Sequence, residues 1–195
     1  MTLAIRVLTG AEVETALDGL ARLRIAVFRE WPYLYDGDLV YERRYLARFV
    51  DSPGAVLVGA FDGDHLVGAA TGSPMEDHAD DFAKAFDGSG IPLSDVFYCA
   101  ESVLLPAYRS RGAGHAFFEH RERQADDLGY RHVAFCAVIR ADVHALKPAG
   151  YRPLEPFWHK RGYRPLDGVV ARLAWKDVDQ PGETGKELQF WIKSR

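Results

Sequence analysis

Two stretches of the chain combine residue types that chemistry needs. The first is Arg109-Ser110-Arg111-Gly112-Ala113-Gly114, set between an apolar run that reaches Pro106 and a long charged segment. The first N–H groups of a helix have no intrahelical partner, and the helix dipole adds partial positive charge there. Glycines let that backbone come close to a ligand, and Arg109 and Arg111 add bidentate donors. Such a turn reads as an anion site suited to phosphate. The second stretch is the apolar run around Glu101. A carboxylate is costly to bury without a partner or a task. Glu101 is therefore a candidate general base, with an ion pair or a substrate contact as the other readings. Its neighbours Tyr98 and Cys99 read as packing.

The elements that must position these groups follow from periodicity. Ala4 to Leu8 reads as a strand. Thr9 and Glu12 have capping-box spacing, and the stripe Val13, Ala16, Leu17, Leu20, Leu23, Val27 predicts a helix that ends before Trp31-Pro32. A second helix is predicted over Leu39 to Val50. Ala55 to Phe61 and Leu66 to Thr71, joined by Asp-Gly-Asp-His, form a predicted hairpin. Met75 to Phe86 is read as a helix and Val96 to Leu105 as a strand. Gly114 to Leu128 is a helix closed by Gly129, followed by a strand over His132 to Ile139. Residues 140 to 153 form an irregular loop, and a short helix runs from about Leu154 to Arg161. Val169 to Val178 and Leu188 to Ile192 are expected to close the sheet as an antiparallel pair, with Leu188, Phe190 and Ile192 on its one buried face. This order predicts a mixed α/β sheet with one parallel crossover, in a single domain over residues 1–195.

Composition excludes several classes. Of 195 residues, 48% are apolar and 12% aromatic, which supports a sizeable core and argues against disorder. A net charge of −4 does not suggest a nucleic-acid binder. Two cysteines, Cys99 and Cys136, are too few and too far apart for a disulfide framework or a metal site, so no metal is expected. The start, Met-Thr-Leu-Ala-Ile-Arg, lacks signal-peptide character, and no window is long enough to span a membrane. A cytoplasmic protein without a membrane partner is expected, as a monomer or homodimer.

A Walker loop needs Gly-Lys-Ser/Thr, and a dinucleotide fingerprint needs a third glycine where this chain has Phe117. Neither fits. The run Leu104-Leu105-Pro106-Ala107-Tyr108-Arg109-Ser110-Arg111-Gly112-Ala113-Gly114 instead resembles the acetyl-coenzyme A-binding motif of the GNAT superfamily of N-acetyltransferases. The segments "LGYRHVAF" and "FWHKRGYRP" are similar to that family's next strand and its later signature, and the likeness is strongest over about 96–165.

The resemblance implies a mostly antiparallel sheet with a splayed parallel strand pair, flanked by helices. It implies acetyl-coenzyme A as cosubstrate. Its pyrophosphate would lie on the N–H groups of Ser110 to Gly114, with His115 adjoining. The pantetheine arm would pair with the strand edge at Val103, Leu104 and Leu105, and the Leu104 N–H would act as oxyanion donor. An alkyl ammonium, with a pKa near ~10.4, must lose a proton before attack, which is the task given to Glu101. Several residues could protonate the departing thiolate. The family often places Tyr where this chain has Trp158, so Tyr151, His159 and Tyr163 are the substitutes. Arg140 stands near a position where the family often has Asn.

The acceptor is expected to be an amine of a small molecule or peptide. The wall for it would be "REWPYLYDGDLVYERRY", in which Trp31, Tyr33, Tyr35 and Asp36 offer aromatic faces and a carboxylate suited to a cation. Core packing and solvated acids are the plainer reading of the same residues. His144, in the irregular loop, is read as a surface histidine. A non-catalytic acyl-coenzyme A sensor is the alternative function; the absent Tyr favours it slightly, and Glu101 argues against it.

Overall fold

The computed structural model describes residues 3–195. The elements are β1 (Ala4–Leu8), α1 (Ala11–Phe28), α2 (Leu39–Asp51), β2 (Val56–Asp62), β3 (His65–Pro74), α3 (Ala79–Phe86), β4 (Val96–Leu104), α4 (Ala113–Asp127), β5 (His132–Val138), α5 (Glu155–Lys160), β6 (Arg164–Lys176) and β7 (Glu183–Ser194). The strands form one sheet in the order β1-β2-β3-β4-β5-β7-β6. Every neighbouring pair is antiparallel except β4 and β5, as the crossover at the Arg/Gly turn predicted.

Local chemistry sets the boundaries. Glu12 accepts from the Thr9 N–H at 3.3 Å, which is half of the capping box. Asp38 caps α2 by accepting from the Tyr41 N–H at 2.9 Å. Beyond α4, Gly129 takes φ 79°, a conformation that suits glycine. Alternation then divides the core. Val133 and Phe135 of β5 pack with Phe117 and Phe118 of α4, while Ala134 and Cys136 pack with Phe82 and Phe86 of α3. On the α3 side of the sheet, α1 and α2 cover Leu57, Ala69 and Val103.

Three expectations need adjustment. Met75 to Phe86 is a 3₁₀ turn, Met75–His78, that leads into the shorter α3. The final pair is longer than its apolar residues indicate, because β6 begins at Arg164 and carries an irregularity between Pro165 and Val170. The Gln189 side-chain amide spans that irregularity, donating to the Leu166 and Val169 carbonyls at 2.8 and 3.3 Å. And β7 is buried on both faces at Trp191, because Trp158 and His159 of α5 pack on the side opposite Phe190.

Candidate active site

The parallel pairing of β4 with β5 is short. It covers Val96↔His132, Phe97↔Val133 and Tyr98↔Ala134. Past that point β4 stays on β3 and β5 stays on β7, so a gap opens between them. The cause lies in β4, whose register against β3 shifts between Thr71 and Gly72 as Ala100 bulges out. Arg121 of α4, only 1% exposed, holds this bulge. Its guanidinium donates to the carbonyls of Glu101 (2.9 Å) and Thr71 (3.3 Å) and to Ser102 Oγ (2.8 Å).

The gap exposes one strand edge. The Leu105 N–H donates to the Val67 carbonyl of β3 at 3.0 Å. Successive N–H groups of a strand alternate sides, so Leu104 aims its N–H away from β3 and into the gap. By the same alternation Val103 turns its polar groups toward β3. The Leu104 carbonyl accepts from Arg109 Nε at 3.2 Å. Of Val103, Leu104 and Leu105, only Leu104 presents an edge donor.

The turn that follows curls back on itself. Ser110 and Gly112 both have positive φ, 63° and 86°. For Ser110 that conformation costs roughly 1–3 kcal/mol, and such strain collects at functional sites. Alternation of ordinary and left-handed residues turns successive N–H groups into one concavity, an anion nest. Among the described residues no backbone carbonyl accepts from the N–H of Ser110, Arg111 or Gly112. Ala113 and Gly114 open α4, so theirs are also unpaired within the helix. A Cβ built on Gly112 would meet nothing within 4 Å, so the space beside this residue is open. The His115 N–H differs, since it donates to the Gly112 carbonyl at 3.0 Å, and its ring contacts Arg161 and Phe157. Arg111 donates to the Ala107 carbonyl, and Arg109 also pairs with Glu30 at 2.9 Å, both with exposed side chains.

On the face covered by α1 and α2, Glu101 is 4% exposed and ion-paired with Arg24 Nη1 at 2.7 Å. Arg24 Nε bonds Glu42, itself fully buried. The Tyr45 hydroxyl donates to Glu101 at 3.3 Å, and the Arg24 guanidinium lies 4.3 Å from the Tyr45 ring centre. Burial, with the charge of Glu101, pushes the Tyr45 phenol well above its ordinary range. Burial also raises the Tyr35 phenol, and the adjacent Glu42 adds to that rise. Cys136, beside the Tyr98 hydroxyl at 3.4 Å, is pushed up to about 12 by burial, so it stays a neutral thiol.

The aromatic residues expected at the acceptor wall gather in part. Trp31 packs on His144 (5.0 Å) and on Tyr151 (6.2 Å) from the irregular loop. Tyr33 stacks on Trp175 at 5.9 Å, and burial raises its phenol, with the nearby Cys136 adding to the rise. Asp36 is already engaged by Arg29 (2.7 Å) and Lys176 (2.8 Å). Tyr151 is half-buried, and burial raises its phenol. Tyr163 is fully buried on the opposite face of the sheet and donates to Glu122 at 3.0 Å. Trp158 packs there too, on Phe135 and Trp191. Arg140 fastens the wall. It donates to the carbonyls of Pro32 (2.7 Å) and Tyr33 (2.6 Å) and to Asp177 Oδ2 (2.7 Å), while Lys186 lies 3.3 Å from Asp177 Oδ1.

Arg24, Glu42, Thr71, Arg121 and Asp177 are absent from the sequence-based site. A signal for two of them was present. Arg24 falls in phase with Leu17, Leu20 and Val27, and Glu42 in phase with Leu39, Leu46 and Phe49. Opposite charges on two apolar stripes predict a buried pair between those helices.

Among the described residues no helix is long and apolar enough to cross a membrane. The sequence matches the family model for the acetyltransferase (GNAT) family over residues 20–151. No curated protein matches it. Solved structures similar to it include a ribosomal-protein-alanine N-acetyltransferase from Brucella melitensis, 13% identical, with 98% of this chain and 99% of that one covered and a TM-score of 0.63. Another is Arabidopsis thaliana NAA60 in complex with a bisubstrate analogue, 14% identical, covering 100% and 99%, TM-score 0.62. A third is the PaiA N-acetyltransferase from Thermoplasma acidophilum in complex with coenzyme A, 15% identical, covering 100% of both chains, TM-score 0.52. At these identities the likeness speaks for the fold, and the match over more than half the chain speaks for the family. Splayed strands, glycine-rich turn and sequence match agree: the chain belongs to the GNAT acetyltransferase family.

Proposed function

We propose that residues 1–195 act as one N-acetyltransferase unit, which moves an acetyl group from acetyl-coenzyme A to an amine of a small molecule or peptide by direct attack. The observation that carries this reading is the Leu104 N–H, aimed into the gap between β4 and β5 immediately before a nest of unpaired N–H groups. Acetyl-coenzyme A supplies the activated acyl group, and its diphosphate suits the nest at Ser110 to Gly114, with Arg109 and Arg111 adding charge at the rim. The Leu104 N–H stabilises negative charge developing on the acyl oxygen. Glu101 takes the ammonium proton, and its partners Arg24 and Tyr45 hold the carboxylate in place. Trp31, Tyr33 and Tyr35 line the acceptor side. Tyr151, a protonated phenol beside Trp31, is the better placed of the two tyrosines to return a proton to the thiolate, since the Tyr163 hydroxyl is held by Glu122.

The test is calorimetric titration with coenzyme A, together with release of free thiol from acetyl-coenzyme A in the presence of an amine panel. Tight binding and amine-dependent release are expected. Glu101→Gln should lower turnover about a hundredfold or more with coenzyme affinity unchanged. Binding without release for any amine would favour the sensor, and no heat on titration would refute both readings.

A further inference from the structure

Strand β4 lies inside the sheet, and along Val96–Leu104 a single residue is exposed, Ser102. Glu101 and Val103 on either side of it are buried under α1 and α2, so alternation turns the Ser102 side chain to the α4 face. Strand β3 covers the other edge of β4 here, with Ala70 opposite Ser102. The exposure therefore comes from the gap, which opens past Tyr98.

The Ser102 hydroxyl is oriented. Arg121 Nη2 donates to Ser102 Oγ at 2.8 Å. That bond occupies an oxygen lone pair and leaves the hydroxyl's own proton free to be donated. The other donors of Arg121 go to the carbonyls of Phe117 (3.1 Å), Thr71 (3.3 Å) and Glu101 (2.9 Å). All of these acceptors are uncharged oxygens, and the guanidinium that holds them is 1% exposed. A hydroxyl backed by a buried cation is a stronger donor, because linked hydrogen bonds polarise one another in a low-dielectric interior.

Placement along the strand adds to this. Leu104 aims its N–H into the gap beside the nest, and Ser102 stands about 7 Å further from the nest along β4. An extended arm anchored at the nest passes Leu104 and ends toward Ser102.

We propose that the Ser102 hydroxyl is a catalytic donor to the acyl oxygen, aimed by Arg121 as its positioning residue. This rests on the acetyl-transfer reading and adds a side chain to the Leu104 N–H. As the amine lone pair forms the new C–N bond, the carbonyl π electrons move onto oxygen. The Ser102 O–H bond stays intact while its hydrogen bond to that oxygen strengthens. The electron pair then returns to carbon as the C–S bond breaks, so Ser102 gives a hydrogen bond and keeps its proton.

The test is isotope-edited infrared spectroscopy of carbonyl-labelled acetyl-coenzyme A on the protein, without amine. A donor to the acyl oxygen lowers the carbonyl frequency. The band should lie lower on wild type than in solution and move back toward the free value in Ser102→Ala. It should return in Ser102→Thr, which restores a hydroxyl and suits a strand. Arg121→Lys keeps a charge but not the fork, and its band should move in the same direction as that of Ser102→Ala. In turnover, Ser102→Ala should lower kcat on the order of a hundredfold and leave the coenzyme A dissociation constant and the acceptor KM unchanged. A serine that only satisfies Arg121 or binds water gives an unmoved band and an unchanged kcat, with the effect of Ser102→Ala confined to the melting temperature. That result overturns the proposal, and a band unmoved in Arg121→Lys alone strikes Arg121 from it. The infrared measurement needs no amine, so it decides the matter even where no acceptor is turned over. If wild type gives no heat with acetyl-coenzyme A, the acetyl-transfer reading falls and takes the serine with it. Binding with a band that Ser102→Ala does not move sinks the serine alone.

Discussion

The two sides of the gap between β4 and β5 are built by different means. The side proposed for the phosphates is backbone: five consecutive N–H groups, Ser110 to Gly114, in a turn with two positive-φ residues. It is local, polar and open. The acceptor side is made of side chains brought from far apart. Arg24 meets Glu101 across 77 positions by their numbers, and Arg140 meets Pro32 across 108. It is buried and held by ions. A diphosphate can be gripped by backbone donors and a short motif. A feature particular to one acceptor needs side chains, and burial is what makes their charges discriminate.

The comparison breaks first at Gly112. Gly112→Glu adds a carboxylate at the concavity proposed for the diphosphate and puts a side chain at φ 86°. Coenzyme A affinity should fall by on the order of a hundredfold or more, through like-charge repulsion and loss of the nest geometry. Circular dichroism should stay near wild type, and the melting temperature should fall by only the few degrees that a side chain at this positive φ costs. Calorimetry that recorded wild-type affinity would show that the phosphates bind elsewhere, and the division of labour between the two sides would fall with it.

The acceptor side should respond in the opposite way, through stability. Arg140→Met removes the donors that hold Pro32, Tyr33 and Asp177 and leaves Asp177 with Lys186 alone. Breaking a buried pair of this kind costs about 3 kcal/mol, or about 10 °C in melting temperature for a chain of this size. Coenzyme A affinity should change little. The pH dependence gives a second handle. Burial pushes the Asp177 carboxyl up, but the Arg140 hydrogen bond and charge, with Lys186, outweigh it and hold the carboxyl below its ordinary range. A depressed carboxyl contributes stability that is present above the ordinary value of 3.8 and is lost as pH falls below it. The difference between wild type and Arg140→Met should therefore narrow in acid. Equal melting temperatures at neutral pH would mean that the wall is held by packing on Trp175 instead.

The same contrast decides what could be read from the sequence. Backbone recognition leaves a contiguous trace, so the Arg/Gly turn, the strand before it and the helix after it were legible as one unit. So was the parallel crossover, which needs only a strand, a helix and a strand in order. Glu101 was legible as an anomaly in an apolar run, but its partners were not named, since nothing local ties residue 24 to residue 42 or 101. The bulge at Ala100 left no trace because its stabiliser, Arg121, sits in a charged helix where one more arginine looks solvated. Asp36 was read as a cation site from its type and position, whereas Arg29 and Lys176 satisfy it. Lys176 comes from the far end of the chain.

The smallest effect tests whether the two sides communicate. Arg109 touches both: it donates to the Leu104 carbonyl at the gap and pairs with Glu30, next to Trp31 on the acceptor wall. Both side chains of that pair are nearly half exposed, so the pair itself contributes little and is screened by salt. Arg109→Ala should weaken coenzyme A binding by only about fivefold at low ionic strength, and by less at 0.5 M salt, where the Debye length shrinks to roughly 4–5 Å. The informative measurement is the acceptor KM in the same variant. If backbone donors hold the coenzyme and side chains hold the acceptor independently, that KM stays put. A KM shift as large as the change in coenzyme affinity would mean that Arg109 links the two, exchanging Glu30 for the diphosphate as the coenzyme arrives. The sharp division between a backbone side and a side-chain side would then give way to a coupled pair.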